Sequence, residues 1–213
     1  MIKEEWISFV KGLLPKEDKT NKYHPRFIEA AIEDTLKGMY SDLYEINPNL
    51  LDNYCKRYGT PTAITIVQEA GSGIYYSTIP EKIVNLPCKS SGVRHIYPAV
   101  HTGNAFQPMD AREADLVFNT DIAVVTSKIG FNVRQDTRIE YWNTSAAVRA
   151  AGVRLDLLIP FSAYLDSDVV EIPQMTDKQG GSFTKRVLEV LGVIQPVDLV
   201  DDNKDAEEQT NKK

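Results

Sequence analysis

Apolar residues recur every three or four positions along the first part of the chain. Ile2, Trp6, Phe9, Val10 and Leu13 line one side of a predicted helix over residues 2–14, which Pro15 stops. After a polar connector, PKEDKTNK (15–22), Pro25 opens a second helix at a position where its missing N–H costs nothing. Ile28, Ile32, Leu36, Met39 and Leu43 then form one continuous stripe, with Glu33 and Lys37 expected to pair on the opposite side. Such a helix is roughly 30 Å long. Burying its five stripe residues is worth on the order of 8–15 kcal/mol before entropy, so the helix needs a partner surface from its own chain or another. A third helix is predicted from Asn47 as N-cap and Pro48 at the first position. Leu50, Leu51 and Tyr54 give its apolar face, Lys56 and Arg57 its last turn, and Gly59 its stop.

From Pro61 onward the period changes to two. TAITIV (62–67) and GIYYSTI (73–79) flank QEAGSG and predict a hairpin. Prolines 80, 87 and 98 confine EKIVNLP and GVRHIYPAV to edge strands or extended crossings. In AVVTSKIGFNV, Ala123, Val125, Ser127, Ile129, Phe131 and Val133 share one face of a half-buried antiparallel strand. TRIEYW (137–142) returns after a turn at Gln135–Asp136, and VRLDLLI (153–159) sets Val153, Leu155, Leu157 and Ile159 on one side. NTSAAVRAAG (143–152) reads as a short helix or an exposed loop. A closing helix starts at Ser182, turns Phe183, Val187, Val190 and Leu191 inward, and stops at Gly192.

These elements predict an α+β fold: N-terminal helices, one of them long, then a central antiparallel β region, a short C-terminal helix and an extended tail. The boundaries are a helical region over 1–60, β region over 61–176, C-terminal helix and arm over 177–200, and a polar tail over 201–213, within one domain overall. The arm contains Val193, Ile194, Pro196, Val197, Asp198, Leu199 and Val200, an apolar run that either tucks back on its own domain or is held out for a neighbour.

Composition narrows the function classes. Among 213 residues, 30 are acidic and 24 basic, a net charge of −6 that argues against a dedicated nucleic-acid binder. The two cysteines, Cys55 and Cys88, form no CxxC and are expected to be free thiols in a reducing compartment. MIKEEWISFVKGLL has no uninterrupted apolar core of a signal peptide, and no stretch approaches the ~18 apolar residues of a bilayer span. The expectation is a protein made in a cytoplasm and not held in a membrane.

Candidate chemistry is sparse. His95 and His101, with Asp110 or Asp115, lack zinc-site spacing and are expected to be surface or hydrogen-bonded side chains. GSGIYY (71–76) lies between strands and is a hairpin loop, not a phosphate cradle. No GxSxG presents a serine, and Cys55 sits near a helix C-terminus, away from any dipole that would activate it. Asp166, Asp168 and Glu171 in LDSDVVE gather oxygen ligands but lack the calcium-loop glycine and distal glutamate, so a solvated acidic turn is expected. No catalytic residue, cofactor site or metal site is therefore predicted. Tyr40, Tyr44, Tyr54, Tyr58, Tyr75, Tyr76, Tyr97, Tyr141 and Trp142 are either ordinary packing residues or, given tyrosine's preference for half-wet surfaces, interface residues.

Three segments together carry a resemblance: PRFIEAAIEDTLKGMYSDLYE, the middle YYSTIPEKIVNLP…GVRHIYP, and YLDSDVVEIPQMTDKQGGSFTKRVLEVLGVIQPVDLVDDNKD. Over most of residues 23–203 the chain resembles head–tail adaptors of tailed bacteriophages, in particular the neck ring proteins of crAss-like phages. The resemblance implies a non-enzymatic virion protein that forms a ring, usually twelve-fold, between portal and tail. It would contact the portal protein and adjacent ring proteins and continue the DNA channel without reading sequence. It also implies that the C-terminal arm grips a neighbour. The β region here is longer than in the minimal, mostly helical adaptors. Two other readings follow from the residues alone. One is a carbohydrate- or receptor-binding module of a phage tail, suggested by the β region and aromatics. The other is a small hydrolase using Asp166 and Asp168, which requires a deep pocket with perturbed carboxylates.

Overall fold

The computed structural model describes residues 1–14, 23–100, 106–118, 128–174 and 182–193. The stripe of the long helix decides the arrangement. Helix α1 spans Lys3–Leu13 and α2 spans Pro25–Ile46. Pro25 occupies the first turn of α2, and the His24 imidazole accepts the Arg26 N–H at 3.3 Å. All five stripe residues of α2 are buried. Their cover comes from the same chain: α1, a 3-10 helix over Pro48–Tyr54, a second 3-10 helix over Phe161–Ala163, and α5 (Phe183–Val190). The i,i+4 partner expected for Lys37 is used elsewhere, because the Glu33 carboxylate accepts the Ser162 N–H at 3.0 Å.

Two sheets complete an α+β fold. The first is antiparallel throughout, in the order β1 (Lys56–Tyr58), β8 (Val153–Leu157), β4 (Val93–Pro98). The second runs β2 (Val67–Gln68), β3 (Tyr75–Thr78), β7 (Arg138–Trp142), β6 (Ile129–Arg134), β5 (Phe106–Pro108). Helices α3 (Ala111–Phe118) and α4 (Ala146–Ala151) lie within the predicted β region. Ser145 caps α4 through the Val148 N–H, which resolves the small-residue stretch as a helix.

Several expectations are corrected. The third helix is a 3-10 turn that ends at Tyr54, and Lys56 and Arg57 belong to β1. Pairing with β8 overrides their helical setting, with Arg57 opposite Asp156. TAITIV does not form one hairpin arm. Only Val67 and Gln68 pair with β3, while Ile64 exchanges backbone hydrogen bonds with Val153 of the other sheet at 2.8 and 2.9 Å. Strand β6 is antiparallel to β7 but parallel to β5, so the β region is mixed. In α5, Phe183 and Val187 are buried, but Val190 is 52% exposed. Gly192 does end this helix: its N–H bonds to Glu189 and that of Val193 to Leu188, both at 2.9 Å, which forms a Schellman motif.

Gly152 joins α4 to β8 with φ 79° and ψ −168°, a region that essentially only glycine enters. A Cβ there would lie 2.4 Å from the Ile64 carbonyl oxygen. Gly152→Ala is expected to destabilise the fold by about 2 kcal/mol or more, read as a lower denaturation midpoint with an unchanged slope.

Candidate interaction surfaces

The outer face of the three-stranded sheet carries a cross-strand charge network. Asp156 on β8 lies opposite Arg57 on one side and His95 on the other. Arg57 holds it in a fork, Nε to Oδ1 at 2.7 Å and Nη2 to Oδ2 at 2.9 Å. The Arg57 guanidinium also lies over the Tyr97 ring, 5.2 Å from its centroid. His95 Nε2 is 2.9 Å from an Asp52 oxygen, and Arg94 Nε donates to the other at 3.1 Å. His95 is thus a hydrogen-bonded side chain, as expected. Burial would raise the Asp156 carboxyl, but the Arg57 hydrogen bonds and charge, with Tyr97 and His95 nearby, hold it below the usual range.

The acidic turn has a structural task. The Asp168 carboxylate pairs with Lys56 Nζ at 2.6 Å and accepts the Leu165 N–H at 2.9 Å, and these bonds depress its pKa. Its backbone carbonyl accepts the Lys3 N–H, the Met1 carbonyl accepts the Val170 N–H, and Trp6 Nε1 donates to the Val170 carbonyl, each at 3.0 Å. Lys3, itself buried, reaches the Tyr164 carbonyl at 3.0 Å and Glu29 at 2.7 Å. The turn therefore docks α1. A carboxylate held ionised by a lysine is poorly suited to deliver a proton, so the perturbation at Asp168 is of the sign opposite to that of a general acid.

The remaining candidates resolve similarly. Asp110 and Glu113 form a reciprocal capping box on α3, with N–H to carboxylate distances of 3.0 and 2.8 Å. Its D-x-x-E signature is readable in the sequence. His101 and the Asp115 side chain lie outside the described residues. Among the described residues no group of three His, Cys, Asp or Glu could hold a metal ion. Both cysteines are free, and burial pushes the Cys55 thiol up to about 12. Among the described residues no helix is long and apolar enough to cross a membrane.

The tyrosines are largely consumed within the molecule. Tyr40, Tyr141 and Tyr164 are core residues, and Ser77 shares a 3.0 Å hydrogen bond with Tyr141. Tyr75 and Tyr76 carry the guanidinium groups of Arg149 and Arg138, 4.5 and 5.0 Å from their ring centroids. Surface apolarity lies elsewhere. A groove of about 490 Å³ runs between α2 and α5, lined by Tyr23, Phe27, Ala30, Val190 and Leu191. Phe27 is 64% exposed there. Phe27 sits off the α2 stripe and is not marked by periodicity, whereas Val190, expected on the inward face of α5, is exposed instead. Leu165 and Val169, 67% and 66% exposed, project from the acidic turn. Of the predicted arm, Val193 is half-buried against the core beside its bond to Leu188. Ile194, Pro196, Val197, Asp198, Leu199 and Val200 lie outside the described residues.

Asp156 gives a pH prediction. A carboxyl with a depressed folded-state pKa contributes stability that is present above the unfolded value, about 3.9, and lost as pH falls through the folded value. Stability is expected to decline below about pH 4, with a shallower decline in Asp156→Asn. That variant should also lose about 1 kcal/mol at neutral pH, a small figure because Arg57 is largely exposed. Denaturant titrations between pH 2 and 7 measure both.

No protein-family model, curated protein or solved structure matches the chain.

Proposed function

We propose that this chain is a structural, non-enzymatic subunit of a phage neck. Copies form a closed ring between portal and tail that continues the DNA channel, and the protein belongs to the virion. The observation that carries this reading is the exposed apolar groove between α2 and α5. With the α2 stripe covered by its own chain, Phe27 and Val190 are surplus to the core and suit contact with another surface. A cyclic ring needs two different patches per subunit, one meeting the other on the next copy. Leu165 and Val169 on the acidic turn supply an apolar projection to complement the groove. The net charge of −6 suits a channel wall that repels phosphate and lets DNA slide past.

The sugar-binding alternative is less well supported. Stacking of a saccharide needs open aromatic faces, whereas Tyr75, Tyr76 and Tyr97 each carry an arginine.

Native mass spectrometry of the purified chain alone and with portal protein tests the proposal. The expected result is a closed oligomer, twelve-fold if the resemblance holds, and a strict monomer under both conditions would sink it. Phe27→Asp combined with Val190→Asp should abolish the oligomer. Both positions are exposed, so the thermal midpoint should stay within a few degrees of the parent.

A further inference from the structure

A second, more closed pocket of about 270 Å³ lies where α2, the extended segment after β3, the β6–β7 turn and Phe161 meet. Leu36, Tyr40, Ile83 and Phe161 form its buried apolar lining. Lys37 and Lys82 stand at its exposed rim, and neither has an ion-pair partner among the described residues. The rim acids are Glu33, engaged by the Ser162 N–H, and Asp136 in the turn. The volume falls below the roughly 300–1,000 Å³ of sites that enclose a drug-sized ligand or cofactor. It suits one or two aliphatic side chains, and two cations beside an apolar pit suit a ligand whose apolar residues are flanked by carboxylates.

This chain contains such a segment. In VDLVDD (197–202), Leu199 and Val200 stand between Asp198 and the pair Asp201–Asp202. We propose that the pocket is the seat of Leu199–Val200 from the same polypeptide, with Lys37 and Lys82 meeting the flanking aspartates. Reach favours the same copy. The described chain ends at Val193, just past Val190 and Leu191, which line the α2–α5 groove with Ala30. Six further residues span up to about 20 Å. From Ala30 to Leu36 is about 9 Å along the α2 axis. At about 100° per residue, Lys37 falls between the groove-facing and pocket-facing sides of α2. The Schellman turn at Gly192 ends α5 and redirects the backbone before this segment begins. The inference does not depend on the ring reading. It assigns the segment a seat on its own subunit, in place of the neighbour-gripping arm that the resemblance implies.

Hydrogen–deuterium exchange on the full chain tests it. Amides within 194–202 should exchange on the order of ten-fold more slowly than in Lys37→Glu combined with Lys82→Glu, at every protein concentration. Leu199→Asp should remove the same protection with the lysines intact. Adding Asp201→Lys and Asp202→Lys to the charge-reversed pocket should restore it. Equal exchange in parent and variants overturns the proposal, and so does protection that grows with concentration. A monomeric parent that keeps its protection would reject the ring while leaving this seat in place.

Discussion

The central constraint is that α2 carries an apolar stripe longer than any single neighbour can cover. Two helices and two 3-10 turns converge on it, drawn from residues 3–13, 48–54, 161–163 and 183–190. A surface-lying helix buries one stripe and leaves the rest to water. By wrapping α2 with distant parts of the chain, the fold brings α1 and α5 together, with the Trp6 and Phe183 ring centroids 5.4 Å apart. In the three-stranded sheet the central strand β8 has Val153, Leu155 and Leu157 fully buried.

Polar side chains then fix which distant parts meet. Lys3 binds carbonyls near residue 164 as well as Glu29, Lys56 binds Asp168, and Arg186 on α5 binds Asp42 on α2 at 2.7 Å. Each joins segments well separated in sequence. Most are partly buried, so desolvation offsets much of their attraction, and their value lies in excluding alternative dockings of apolar surfaces that would otherwise slide. Other bonds engage candidates for chemistry: His95 meets Asp52, Asp110 and Glu113 cap α3, and Tyr75, Tyr76 and Tyr97 each carry an arginine. Apolar surface with charged margins is left open in the groove beside Phe27 and the pocket beside Lys37 and Lys82.

Legibility followed the range of the forces involved. Helices α1, α2 and α5, and the β6–β7 turn at Gln135–Asp136 with φ near +53° at both residues, follow from short-range pattern and were read directly. The stretch 48–58 misled because a good cap, a proline and a terminal glycine are local signals, whereas the pairing of Lys56–Tyr58 is set by β8, about a hundred residues on. TAITIV misled for the same reason, since Ile64 and Val67 serve different sheets. The parallel β5–β6 pair has no local signature. The tyrosines could be read either way, and the arginines that cover three of them come from other strands or from α4. The groove was missed because Phe27 lies off the α2 stripe, and because spacing assigned Val190 to the core face of α5, where it is exposed.

The docking of α1 on the turn at 165–170 has a consequence for how the protein is made. A ribosome releases this helix long before its seat: the carbonyls of Tyr164, Asp168 and Val170 that receive it emerge some 160 residues later. At about 5–20 residues per second, the Trp6 indole waits roughly 8–30 seconds for the Val170 carbonyl that it binds. Over that interval the nascent chain carries an amphipathic helix whose side toward the turn stays open to a chaperone, although α2, its other partner, follows it directly.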